Sequence, residues 1–178
     1  MSKMLDRFLK YVKFETTSDE NSTTVPSTMN QLEFAKMIGK ELEEIGLKDV
    51  SVDEKAYVMA TLPSNIEKQI PTIGFIAHMD TSSDVSGKDV NPKIIENYNG
   101  EDIVLNEEKN IVLSVADFPD IKNYIGKKII TTDGTTLLGA DNKAGIAEII
   151  TAMEFLIQNP DVPHGTVRIA FTPDEEIG

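Results

Sequence analysis

Three short stretches of the chain concentrate the side chains able to hold a cation or move a proton. Ala77-His78-Met79-Asp80 follows one apolar run, Gly139-Ala140-Asp141-Asn142-Lys143 precedes a helical pattern, and Pro173-Asp174-Glu175-Glu176 follows a second apolar run. An imidazole two residues before a carboxylate can sit on a cation while the carboxylate fixes its tautomer and orientation. Adjacent Glu175 and Glu176 point differently off a turn, so one can bind while the other stays free to take a proton. With no cysteine in the chain and only His78 and His164 as histidines, any metal must rest on imidazole and carboxylate. Each stretch also has a plainer reading. His78 can be a hydrogen-bonded loop residue, Asp141 the N-cap of the helix behind it, and 174–176 a solvated acidic turn. His164, between Pro163 and Gly165, reads as a turn residue without a role.

The elements that must position these residues follow from periodicity. Leu5, Phe8, Leu9 and Val12 recur at helical spacing, and so do Phe34, Ile38, Leu42 and Ile45 before a stop at Gly46. Thr28 and Gln31 have the spacing of a capping box for the second helix. The polar stretch 16–24 between the two helices reads as a loop. Strands are expected over 50–52 and 57–62, then over 72–77, whose apolar run without alternation suggests a strand covered on both faces of a parallel or mixed sheet. Residues 84–127 read as a long excursion with a small hairpin, built from 103–105 and 111–115. A strand over 129–131, a helix carrying Ile146, Ile149, Ile150, Met153 and Leu156, an end at Asn159-Pro160 and a last strand over 167–172 complete the pattern. Alternating strands and helices predict an α/β fold, a mixed and largely parallel sheet sandwiched by helices, with all three polar stretches at the carboxyl ends of strands where ligands collect.

Composition bounds what such a site serves. Among 178 residues, 17 Lys and Arg stand against 30 Asp and Glu, a net charge of −13 that argues against a nucleic-acid partner. No run approaches the ~18 consecutive apolar residues of a membrane helix, and the first fifteen residues carry charges throughout, so neither a membrane nor a secretory route is expected and a cytoplasmic location is. The length favours one domain.

Taken together, His78-Met79-Asp80, Leu138-Gly139-Ala140-Asp141-Asn142-Lys143-Ala144-Gly145 and Phe171-Thr172-Pro173-Asp174-Glu175-Glu176-Ile177-Gly178 resemble the di-zinc M20 peptidase family. Thr81-Ser82 after Asp80 and Phe-Pro-Asp-Ile-Lys-Asn-Tyr-Ile-Gly at 118–126 point, within that family, to its tripeptide aminopeptidases. The resemblance implies two Zn2+ ions per complete subunit, with His78 binding one, Asp141 bridging both and Glu176 binding the other. It further implies that Asp80 orients His78, that Glu175 is the general base, that the Asp141–Asn142 peptide is cis, and that the substrates are short peptides, tripeptides above all. Asn142 departs from the Asp-Asp pair common in the family, while the ligand at that place, Asp141, is present. By the same resemblance, residues 1–178 form the N-terminal part of the catalytic domain. The remainder of that domain, one more carboxylate ligand, one more His ligand and a lid domain would lie elsewhere, and the 178 residues alone are expected to be inactive. The oligomeric state is not legible.

Other chemistries compete for the same residues. A dipeptidase, a carboxypeptidase or an N-acyl amino-acid deacylase of the same family would use an identical ligand set, because substrate choice lies in the pocket walls. Thr131-Thr132-Asp133-Gly134-Thr135 is similar to the phosphatase loop Asp-x-Asp-Gly-Thr, but Thr131 stands where the nucleophilic Asp is needed. A non-catalytic acidic binding module would have no reason to place three such clusters after or before separate strands.

Overall fold

A computed structural model describes residues 2–178. Helix α1 (Lys3–Tyr11) starts where the Ser2 hydroxyl accepts the Leu5 N–H, and α2 (Met29–Ile45) stops at Gly46, whose φ of 98° suits a residue without Cβ. Strands β1 (Lys48–Val52), β2 (Val58–Leu62) and β3 (Ile73–His78) follow. The excursion holds β4 (Lys93–Ile95), the hairpin β5 (Ile103–Asn106) and β6 (Ile111–Leu113), a 3-10 turn over Pro119–Tyr124, and β7 (Ile129–Thr131). Helix α3 (Ala140–Gln158) and β8 (Val167–Thr172) close the pattern. The hairpin lies where the sequence places it. The strand over 129–131 pairs with β4, which periodicity missed, and not with the main sheet.

The main sheet has the order β1-β2-β8-β3. It is mixed, as expected, but the balance differs: β3 and β8 run parallel, whereas β1–β2 and β2–β8 are antiparallel. The connection from Val52 to Val58 is too short for a crossover, which forces the first pair antiparallel, while α3 supplies the long return that a parallel pair needs. Nor do the described helices sandwich the sheet. Val58, Ala60, Val167, Ile169 and Phe171 are buried with Phe34, Ile38, Leu42, Ile146 and Ile150 in one core, whereas Met59 and Arg168 between them are exposed. That alternation marks a sheet packed on one face.

β3 departs most from expectation. It is an edge strand, with Ile73, Phe75 and Ile76 exposed by 52%, 44% and 70% and only Ala77 and His78 buried. Among the described residues, nothing pairs with the free edge of β3 or covers these side chains. The capping box is also not formed. Thr28 makes no side-chain cap bond and donates its hydroxyl to the Thr17 carbonyl, while Gln31 turns inward. Loop 16–24 is correspondingly less free than its composition suggests, for Thr16 and Ser18 are buried and Thr17 pairs with Thr81 just beyond β3.

The helices are joined by a charged cluster as well as by apolar packing. Arg7 on α1 reaches Glu41 on α2 at 2.7 Å and Glu154 on α3 at 2.6 Å, and all three side chains are largely buried. Burial opposes ionisation of Glu41, but hydrogen bonds from Arg7 and Lys10 outweigh it and hold the carboxyl below its ordinary value. The stability this adds is present above the ordinary Glu value of about 4.3 and is lost as the pH falls through the lower folded value. Arg7→Leu should lower unfolding free energy by about 2 kcal/mol at pH 7 in urea titrations. The difference from the parent should shrink as the pH falls below the ordinary Glu value of about 4.3 and through the lower folded value, where Glu41 protonates in the parent as well. A second expectation concerns the open edge. Ile76→Lys, placing a charge on β3, should reduce light-scattering aggregates of the 178-residue chain while shifting the melting temperature by no more than a few degrees.

Candidate metal centre

Because β3 and β8 are parallel, with His78 opposite Thr172, both strands deliver their following residues to the same edge of the sheet. The Met79 N–H donates to the Thr172 carbonyl at 2.8 Å and carries the pairing one residue further. The start of α3 reaches the same place. Its N-cap is Gly139 in the left-handed conformation, and the backbone of Asp141 is non-helical, so Asp141 is not the cap. The Asp141–Asn142 peptide is cis, as the resemblance implies.

These three strand and helix ends bring the expected residues together. His78, 7% exposed, has Nε2 at 2.8 Å from Asp141 Oδ1 and 3.8 Å from Glu175 Oε2. Its Nδ1 faces Asp80, 3.1 Å from the main-chain oxygen and 3.3 Å from Oδ1. A ligating atom from each of His78, Glu175 and Glu176 lies within 4.8 Å of the others. Asp80 is fully buried, and its two carboxylate oxygens accept the Glu175 N–H at 2.9 Å and the Glu176 N–H at 3.0 Å. One side chain therefore orients the imidazole and anchors the acidic turn. By contrast the side chains of Asp141 and Glu175 are 81% and 61% exposed, so the floor of the site is buried and its rim open.

The electrostatics are those of a crowded anionic site. The hydrogen bond to Asp80 is the main cause that raises the His78 pKa to about 9, with burial opposing and Asp141 assisting. Asp80 is held below the usual carboxylate range. Burial works against this, and His78 together with the backbone N–H groups of Glu176 and Glu175 prevails. Glu176 is raised, first by burial and then by Asp141, Asp80 and Glu175 around it, with His78 countering. The donor set, one imidazole braced on its far nitrogen and three carboxylates repelling one another, fits a divalent cation, which would replace repulsion by shared coordination.

Sequence reasoning missed part of the support. Lys143, 2% exposed, donates from Nζ to the Phe14 carbonyl at 2.6 Å and lies 5.6 Å from the centre of the Phe34 ring. Burial lowers its pKa to about 8, with Asp80 opposing. Asp174 belongs to the acidic stretch but binds Ser27 and Gln31 instead of facing His78. The Thr28–Gln31 spacing is the one local signal in that region, and it pointed to a helix cap. His164 remains outside the site, its backbone N–H donating to Asn65, and Asp133 caps its own turn through Thr135.

Known proteins resemble the chain in sequence and in fold. No family model matches the chain. Peptidase T from Caldanaerobacter subterraneus subsp. tengcongensis is 69% identical over 178 residues, and peptidase T from Alkaliphilus oremlandii is 66% identical over 180; the chain is covered completely in both cases, and each relative by 44%. Among solved structures, aminopeptidase PepT from Bacillus cereus superposes with a TM-score of 0.66 at 24% identity, covering 99% of this chain and 37% of that one. A tripeptidase from Staphylococcus aureus gives 0.63 at 25%, with 99% and 37% covered. A Bacillus subtilis protein described as a dinuclear metal binding peptidase from the M20 family shares the fold at a TM-score of 0.50 and 17% identity, with 98% and 35% covered. The chain spans less than half the length of the curated relatives it matches. Over its whole length this chain is thus similar in sequence to part of peptidase T, and it shares the fold of part of the solved PepT structure.

Proposed function

We propose that residues 1–178 form the N-terminal part of the catalytic domain of a cytoplasmic zinc aminopeptidase, which in its full length releases the N-terminal residue from tripeptides. The observation that carries this reading is the approach of His78, Asp141, Glu175 and Glu176 from three separate chain segments to one buried, Asp80-braced floor. The names of the relatives, peptidase T, support the substrate class.

In this reading His78, Asp141 and Glu176 would hold the zinc ions. When bound, two zinc ions would polarise the scissile carbonyl and make a water acidic enough to attack near neutral pH. The chain's own residues do the rest. Asp80 accepts the His78 Nδ1–H, which fixes the tautomer that leaves Nε2 free for ligation. The same carboxylate holds the Glu175 and Glu176 backbone, so the two side chains start from set positions. Glu175, open to solvent and 3.8 Å from His78 Nε2, receives the proton of the attacking water and returns it to the departing amine.

The division of labour between the two glutamates is open to test in a chain with the full length of these relatives. Glu175→Gln should keep zinc content near that of the parent and lower tripeptide turnover by ~10² or more, because an amide cannot take the proton. Glu176→Gln should lose bound zinc. Metal analysis beside steady-state kinetics distinguishes the two, and equal zinc loss in both variants would remove the assignment of base and ligand.

A further inference from the structure

The acidic turn is anchored on a second side, by residues far from it in sequence. Asp174 has φ of 55°, a left-handed conformation that is uncommon for residues with a Cβ, though Asp adopts it more readily than most. Its surroundings are Ser27 and Gln31, at the start of α2. The Asp174 carboxylate accepts the Ser27 N–H at 2.8 Å through Oδ2, and through Oδ1 it accepts the Ser27 hydroxyl and the Gln31 side-chain amide at 2.6 Å. Gln31 in turn accepts the Asp174 N–H at 3.1 Å with its amide oxygen. The Gln31 side chain thus engages both the backbone and the carboxylate of one residue. It is fully buried, and Ser27 is 9% exposed.

Two anchors therefore bracket the turn. Asp174 is tied to α2, and the next two N–H groups are tied to Asp80. The first anchor sets the φ of the residue that launches the turn, and the second sets the height of Glu175 and Glu176 over His78. Loss of the first would leave Asp174 free to relax to negative φ, which swings the following side chains away from the imidazole. The same groups also tie the loop to α2: the Ser27 hydroxyl accepts the Asp19 N–H at 3.0 Å, and the Gln31 amide lies 3.2 Å from the Ser27 hydroxyl and 3.1 Å from that of Thr28, but only Asp174 engages both ends of the Gln31 amide.

We propose that Gln31 and Ser27 are positioning residues for the metal centre, acting through Asp174 to aim Glu175 and Glu176 at His78. This rests on the reading of His78, Asp141 and Glu176 as metal ligands. The proposal makes the amide's polarity essential: a donor to the Asp174 carboxylate and an acceptor for its N–H are both required. Exchanging the two partners restores that complement, since Glu at 31 accepts the N–H of residue 174 and Asn at 174 supplies the donor.

The test is Co2+ binding to a chain with the full length of the peptidase T relatives, followed by the visible d–d spectrum and by competition with a chelator, beside the melting temperature. Gln31→Leu and Gln31→Glu should each weaken Co2+ binding by about tenfold and alter the spectrum, as loss of support behind metal ligands does. The double variant Gln31→Glu with Asp174→Asn should recover most of the affinity and the parent spectrum, an outcome that general loss of stability would not produce. Ser27→Ala, which removes the hydroxyl donor to Asp174 together with the acceptor for the Asp19 N–H and leaves the Gln31–Asp174 pair in place, should weaken binding in the same direction by a smaller factor, and it serves if Gln31→Leu does not fold. If Gln31→Leu and Ser27→Ala both bind Co2+ within twofold of the parent with unchanged spectra while Glu176→Gln weakens it, the positioning role is wrong and the metal site stands. If Glu176→Gln has no effect either, the reading of the site falls and this proposal with it.

Discussion

Asp80 is a carboxylate with no exposure to water, and burying a charge without partners costs several kcal/mol or more. Its partners account for the shape of the site. On one side it faces His78 Nδ1, and on the other it accepts two successive backbone N–H groups from the turn after β8. Those contacts are possible only because β3 and β8 are adjacent and parallel, so that their carboxyl ends finish side by side. The sheet order thus matters for chemistry through this one buried anion. Remove the pairing, and the imidazole and the acidic turn have no shared support.

The remaining architecture can be seen as what keeps β3, β8 and the start of α3 in that relation. Helix α3 packs on the sheet through Ile146, Ile150 and Met153, and Gly145 leaves room where its Cβ would meet Asn142 and the Ala77 side chain. Arg7 joins all three helices through two largely buried carboxylates. Loop 16–24 is stitched to the strand end by Thr16, whose hydroxyl donates to the Met79 carbonyl, and by the Thr17–Thr81 bridge. Lys143 ties the start of α3 to Phe14. A site whose rim is exposed is therefore mounted on a rigid floor, the arrangement by which ligating groups are held close despite mutual repulsion.

How much of this was legible without coordinates varies with the range of the interaction. Helices α1, α2 and α3 and the principal strands follow from apolar spacing, since a period is a local property. The three polar clusters and their place at strand ends are local as well. Errors arose where a local pattern had a distant cause. The apolar run 72–77 does not say which strand lies beside it, and among the described residues β3 pairs only with β8, because sheet order is set by long-range pairing. Thr28 and Gln31 have capping spacing, yet the Gln31 amide is claimed by Asp174, 143 residues away.

For the site itself, residue types and short spacings picked out the three clusters that contain His78, Asp80, Asp141, Glu175 and Glu176, because imidazole and carboxylate are the only strong metal donors in a chain without cysteine, and the resemblance to M20 peptidases singled out those five within them. Spacing also carried the idea that Asp80 stands behind His78, two residues on. What only tertiary structure decided is that the same Asp80 carboxylate anchors the backbone of Glu175 and Glu176, and that Ser27 and Gln31 restrain the residue before them. Hydrogen bonds between segments about 95 and 143 residues apart leave no periodic trace in the chain. They exist because buried polar groups must find partners once the sheet has closed around them, and which partners are within reach is settled by packing alone.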